Sequence, residues 1–80
     1  MDGKDRDDPV VIDVRGLKCP LPALKAGKRI GRAAEGSRFL VLATDPMAAI
    51  DIPHLCREAG YALVTTSRDG EVLQFEIRKS

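Results

Sequence analysis

Cys19-Pro20-Leu21-Pro22 is the stretch from which the rest of the chain can be read. Two prolines this close would break a helix interior, but they fit a first turn, where amide hydrogens have no intrahelical acceptor. The stretch therefore marks a helix start and places Cys19 at its head. Downstream, Ala23 to about Ala34 is the expected helix. Ala23, Ala26, Gly27, Ile30 and Ala34 share one face, and Lys25, Lys28, Arg29 and Arg32 share another. Gly27 and Gly31 each cost about 1 kcal/mol of helix propensity relative to alanine, which points to close approach of this helix to a sheet. Upstream, Val10-Val11-Ile12-Asp13-Val14 is a β-branched run that suits a strand. Arg15-Gly16-Leu17-Lys18 then forms a short connector in which Gly16 takes the turn.

The same reading extends outward in both directions. Arg38 to Ala43 is an apolar run that reads as a second strand. Asp45-Pro46 offers a cap followed by a first-turn proline, and Pro53 falls seven residues later. A continuous helix would put the Pro53 ring against the preceding turn. The expectation is therefore a short turn over Met47 to Ile50, a second cap at Asp51, and a helix from Ile52 to Ala59 stopped by Gly60. The C-terminal residues read as a hairpin: Tyr61 to Ser67, a turn at Arg68-Asp69-Gly70, then Glu71 to Arg78, with Leu73, Phe75 and Ile77 alternating against Val72, Gln74 and Glu76. The order β-α-β-α-β-β predicts an α+β two-layer sandwich, a mixed four-stranded sheet with two helices packed on one face.

Eighty residues limit the chain to one domain, expected over residues 10–80. Residues 1–9 are hydrophilic and mostly acidic, and read as a disordered tail. Aromatics amount to Phe39, Tyr61 and Phe75, so the core must be aliphatic. A net charge of +1 argues against a globally basic nucleic-acid binder. Two cysteines and one histidine are too few for a self-contained zinc site or a disulfide-dense scaffold, so no metal is expected and a reducing, cytoplasmic setting is the default. No stretch reads as a signal peptide or membrane span, so no membrane insertion is expected.

Cys19 is the leading chemical candidate. A helix N-terminus favours a thiolate, and Arg15 and Lys18 add positive charge, the setting that nucleophilic sulfur chemistry requires. The competing reading is a cysteine that only fills space. Pro20 and Pro22 start the helix and would fix the backbone so that Cys19 points outward. Cys56 lies at helical spacing with Ile52, Leu55 and Ala59, which makes it a core residue before a resolving thiol. His54 reads as an exposed helix residue rather than a base, and Asp45 as a helix cap. Residues 15–38 hold seven basic side chains against Glu35, a local balance of +6. That basic face is either plainly solvated or a docking surface for an acidic partner through Lys25, Lys28, Arg29 and Arg32.

Asp13-Val14-Arg15-Gly16-Leu17-Lys18-Cys19-Pro20-Leu21-Pro22, with Ala43-Thr44-Asp45-Pro46 and Asp51-Ile52-Pro53, closely resembles the TusA/SirA-like sulfur-carrier family over Val10 to Lys79. The resemblance implies a two-layer sandwich and a persulfide carried on Cys19, with no cofactor. Asp13, Arg15, Gly16, Lys18, Pro20, Pro22 and Asp45 would be its supporting residues. A cysteine desulfurase or rhodanese-like protein would load the sulfur and an acceptor protein would remove it, in one branch toward 2-thiouridine of tRNA. Family members often have two acidic residues before the later proline, where this chain has Thr44 and Asp45. The implied protein is a monomeric persulfide relay rather than an enzyme turning over a small substrate.

Two other functions compete. One is a regulatory or RNA-binding module using the basic helix face with Cys19 incidental, although direct nucleic-acid binding is disfavoured because this face has no closely spaced aromatics for base stacking. The other is a thiol peroxidase or redox sensor, which would need a resolving partner for Cys19 such as Cys56.

Overall fold

A computed structural model describes residues 9–80. The expected N-terminal tail therefore lies, apart from Pro9, outside the described residues. Six elements follow in order: β1 (Val10–Asp13), α1 (Leu21–Gly31), β2 (Arg38–Ala43), α2 (Ala48–Ala59), β3 (Ala62–Asp69) and β4 (Val72–Arg78). They form the expected mixed sheet, in the order β1-β2-β4-β3. β1 is parallel to β2, and β4 is antiparallel to both β2 and β3.

Register explains the two layers. Ile12 pairs with Val41, which pairs with Phe75, and Phe39 pairs with Ile77. All five side chains are buried. Because strand residues alternate between faces, these rows place the dry side of the sheet against Ala26 and Ile30 of α1 and Ala48, Ile52 and Cys56 of α2, in one core. β3 follows the pattern less closely: a register shift between Leu63 and Thr65 leaves Val64 half exposed.

The helices differ from expectation in three ways. First, α1 begins at Leu21 and ends at Gly31, whereas Ala23 to about Ala34 was expected. The prolines stand at the cap and in the first turn, where no amide is missed. At the other end, the Lys79 ammonium donates to the carbonyls of Gly31 and Ala33 at 3.0 and 2.7 Å, satisfying terminal acceptors. Ala34 is consequently exposed, and Ala33 packs on the core in its place.

Second, Gly27 approaches α2 rather than the sheet: a Cβ built there would lie 3.1 Å from Leu55 Cδ1. Third, α2 runs unbroken through Pro53. An interior proline costs about 3 kcal/mol. Burying Ile52 contributes about 1.5–3 kcal/mol, and Ala48 and Cys56 extend the same buried stripe. The separate turn at Met47 to Ile50 is instead the first turn of the helix. There the amides of Ala48, Ala49 and Ile50 donate to the carbonyls of Asp45, Pro46 and Met47. Asp51 is therefore not a cap. Its own amide already donates to the Met47 carbonyl at 2.9 Å, and its side chain is left for other use.

Candidate functional site

Because β1 and β2 are parallel, the loops that follow them leave the same edge of the sheet, where open α/β sheets place their ligand sites. The first loop carries Cys19 and the second carries Asp45. They are tied together by two backbone amides: Gly16 N–H donates to Thr44 Oγ1 at 2.9 Å, and Cys19 N–H donates to Asp45 Oδ2. Gly16 sits at φ +84°, where a side chain would be strained, and so allows the chain to turn toward Thr44. Asp45 also accepts from the Met47 amide at 3.1 Å. It thus steadies the start of α2 and the backbone of Cys19 at once. These amides hold the Asp45 carboxyl below its usual range, that of Cys19 first, with smaller help from the Lys18 charge.

Cys19 is exposed and free, joined to Pro20 by a cis peptide. Its thiol donates a hydrogen bond to Asp51 Oδ2 at 2.8 Å. The site therefore includes Asp51, which the sequence reads as a helix cap and as part of the Asp51-Ile52-Pro53 stretch of the resemblance, with no role at the thiol. The missed signal was available: an acidic residue in the first turn of the second helix is brought to the cysteine by the parallel β1-β2 pairing.

Asp51 also reverses an electrostatic expectation. The Cys19 thiol is pushed up from its ordinary value, first by the hydrogen bond to Asp51, then by partial desolvation and the negative charges of Asp51 and Asp45. The helix terminus and basic flank do not outweigh this, for identifiable reasons. Pro20 and Pro22 have no amide hydrogen to offer, and Leu21 spends its own on the Lys18 carbonyl at 2.8 Å. Arg15 is clamped on Asp13, with Nε and Nη2 each 2.8 Å from a carboxylate oxygen. That side-chain hydrogen bonding lowers the Asp13 carboxyl to about 2 and raises the guanidinium in turn.

A groove of about 330 Å³ opens beside the thiol, lined by Cys19, Leu24, Asp51, His54, Leu55 and Glu58 among others. Leu24 is 62% exposed. His54 faces this groove, but the thiol's hydrogen bond goes to Asp51. A smaller depression lined by Leu21, Leu24, Lys25 and Lys28 shares Leu24 with the groove, so part of the basic face adjoins the cysteine. Arg29 lies 5.9 Å over the Phe39 ring, a packing role for one of the four cations assigned to docking. Cys56 is a free thiol buried in the core. Among the described residues no cluster of His, Cys, Asp or Glu could hold a metal, and no helix is long and apolar enough to cross a membrane.

Comparisons with known proteins converge on this architecture. A family model described as Sulfurtransferase TusA matches residues 10–79. A Neisseria meningitidis protein, provisionally named a sulfur carrier, is 39% identical over 67 residues, covering 84% of this chain and 90% of its own. The sulfur carrier protein TusA of Allochromatium vinosum is 35% identical over 69 residues, covering 86% of this chain and 91% of its own. A crystal structure of a SirA-like protein from Desulfitobacterium hafniense superposes with a TM-score of 0.75 at 23% identity, over 86% of this chain and 95% of that one, and shows the same fold.

Proposed function

The chain belongs to the TusA sulfurtransferase family, and on that premise we propose that it is a sulfur carrier holding one sulfane sulfur as a persulfide on Cys19. The observation that carries the assignment is the position of Cys19: an exposed free thiol at the head of α1, within the matched region and beside a groove open to a partner. In the loading step the Cys19 sulfur, once deprotonated, attacks the outer sulfur of a donor's persulfide. The donor's S–S bond breaks as the new one forms, and the donor cysteine leaves with the electron pair and takes up a proton. Sulfane sulfur changes hands without net oxidation, and the reverse chemistry delivers it to an acceptor thiol.

The donor is a cysteine desulfurase or rhodanese-like protein and the acceptor a second protein, as in the branch that ends in tRNA 2-thiouridine. Lys25, Lys28 and Arg32, with the neighbouring Leu21 and Leu24, offer such partners a mixed basic and apolar contact. Asp45, Gly16 and the Asp13–Arg15 pair support the loop that presents the thiol. Residues 10–80 act as the single carrier domain of a monomeric, cytoplasmic protein.

The test is intact-protein mass spectrometry after incubation with cysteine and a cysteine desulfurase, repeated with thiosulfate and a rhodanese. One added sulfur, removable by reductant, is expected on the parent and on Cys56→Ser and is absent from Cys19→Ser. Equal loading of Cys19→Ser, or no loading of the parent by either donor, would sink the assignment.

A further inference from the structure

We infer that Asp51 is a positioning residue that keeps Cys19 of the unloaded carrier in its thiol form, aimed along the groove. This deepens the carrier reading and rests on it for its biological meaning. Asp51 stands in the first turn of α2, and its Oδ2 lies 2.8 Å from Sγ with the thiol as donor. A carboxylate in that position stabilises S–H and opposes S⁻. The charged groups that face the thiol region agree in sign more than they oppose. α2 brings Asp51 and Glu58 as well as His54, the β2-α2 loop brings Asp45, and the cysteine's own loop brings Lys18, whose charge acts on Asp45. Arg15, which could have offset the carboxylates, is held by Asp13.

The consequence is a difference between the two states of the carrier. When Cys19 carries sulfur, the reactive outer atom stands one S–S bond, about 2 Å, beyond Sγ, and any remaining S–H sits on that outer atom, so Sγ itself has no hydrogen to donate to Asp51. The contact between Sγ and Asp51 thus belongs to the empty carrier. An exposed cysteine that is largely a thiol at neutral pH reacts slowly with adventitious electrophiles and oxidants, because the thiolate is the attacking species.

The inference is tested by the pH dependence of iodoacetamide alkylation, localised to Cys19 by peptide mass spectrometry, for the parent, for Asp51→Asn and for the parent unfolded in urea. The parent's midpoint is expected above that of its unfolded chain. Asp51→Asn should move it down, with alkylation at neutral pH faster by about threefold or more and the high-pH plateau little changed. A profile for Asp51→Asn that superimposes on the parent's or moves up would overturn the inference. Should Asp51→Asn fail to fold, the comparison of native and unfolded parent decides, since a native midpoint at or below the unfolded one also overturns it. Alkylation needs no sulfur donor, so failure of the carrier reading in the loading experiment leaves this result interpretable, and the converse holds.

Discussion

Cys19 and Cys56 are both pushed toward the thiol form, yet by different physics. Burial alone raises Cys56, which is 2% exposed among Ala48, Ile52 and the sheet residues of the core. Cys19 is raised first by one hydrogen bond at the protein surface, with partial desolvation and then the charges of Asp51 and Asp45 adding to it. Relieving the first requires opening the fold, whereas the second yields to rotation of one carboxylate or to a neutralising charge. Two thiols shifted in the same direction therefore differ in what can set them free. Where sulfur is to be accepted and surrendered, only the surface arrangement is reversible within a folded protein.

The largest expected effect follows directly. In the native protein Cys19 should be alkylated roughly a thousandfold or more faster than Cys56, because Cys56 reacts only through openings that cost a large part of a domain's stability, typically 5–15 kcal/mol. Time-resolved peptide mapping measures both rates in one sample, and in denaturant they should converge. Comparable native rates would abolish the distinction. Next in size is stability itself. Cys56→Ser places a hydroxyl in an apolar site and should cost about 1–3 kcal/mol, read as a lower midpoint in urea. Cys19→Ser should leave that midpoint unchanged, since a serine hydroxyl at the surface can still donate to Asp51.

The legibility of the two cysteines differed in the same way. Cys56 was readable as core because helical spacing with Ile52 is a local property of the sequence, although Ala59, assigned to the same stripe, is exposed. The fold was readable for the same reason: prolines, glycines and apolar alternation mark element ends and faces one neighbourhood at a time. The surroundings of Cys19 are instead assembled across the chain. Asp51 is 32 positions away and meets the thiol only because β1 and β2 lie parallel and α2 continues through Pro53. Local reading broke that helix at the proline and lent Asp51 to a cap that does not exist. It also counted Arg15 toward the thiol without seeing that Asp13, two residues before it, accepts its guanidinium.

The smallest expected effect separates the two carboxylates at Cys19. Asp45 accepts the cysteine's amide rather than its thiol, so it reaches Sγ through charge alone, the last and smallest of the influences on that group. Asp45→Asn removes the charge but retains an oxygen that can satisfy one of the two amides now held, those of Cys19 and Met47. The Cys19 alkylation profile should therefore move down, by roughly half or less of the displacement caused by Asp51→Asn, and the change should fade as salt is raised, because an exposed charge is screened while a hydrogen bond in contact is not. The sign follows from linkage. A thiol raised in the folded state adds stability below its unfolded pKa and loses it as pH rises through the folded value. Both variants should thus flatten the loss of stability on the alkaline side, Asp51→Asn the more. If Asp45→Asn moved the profile as far as Asp51→Asn, and equally so at high salt, the contact at 2.8 Å would not be the source of the difference between the two cysteines.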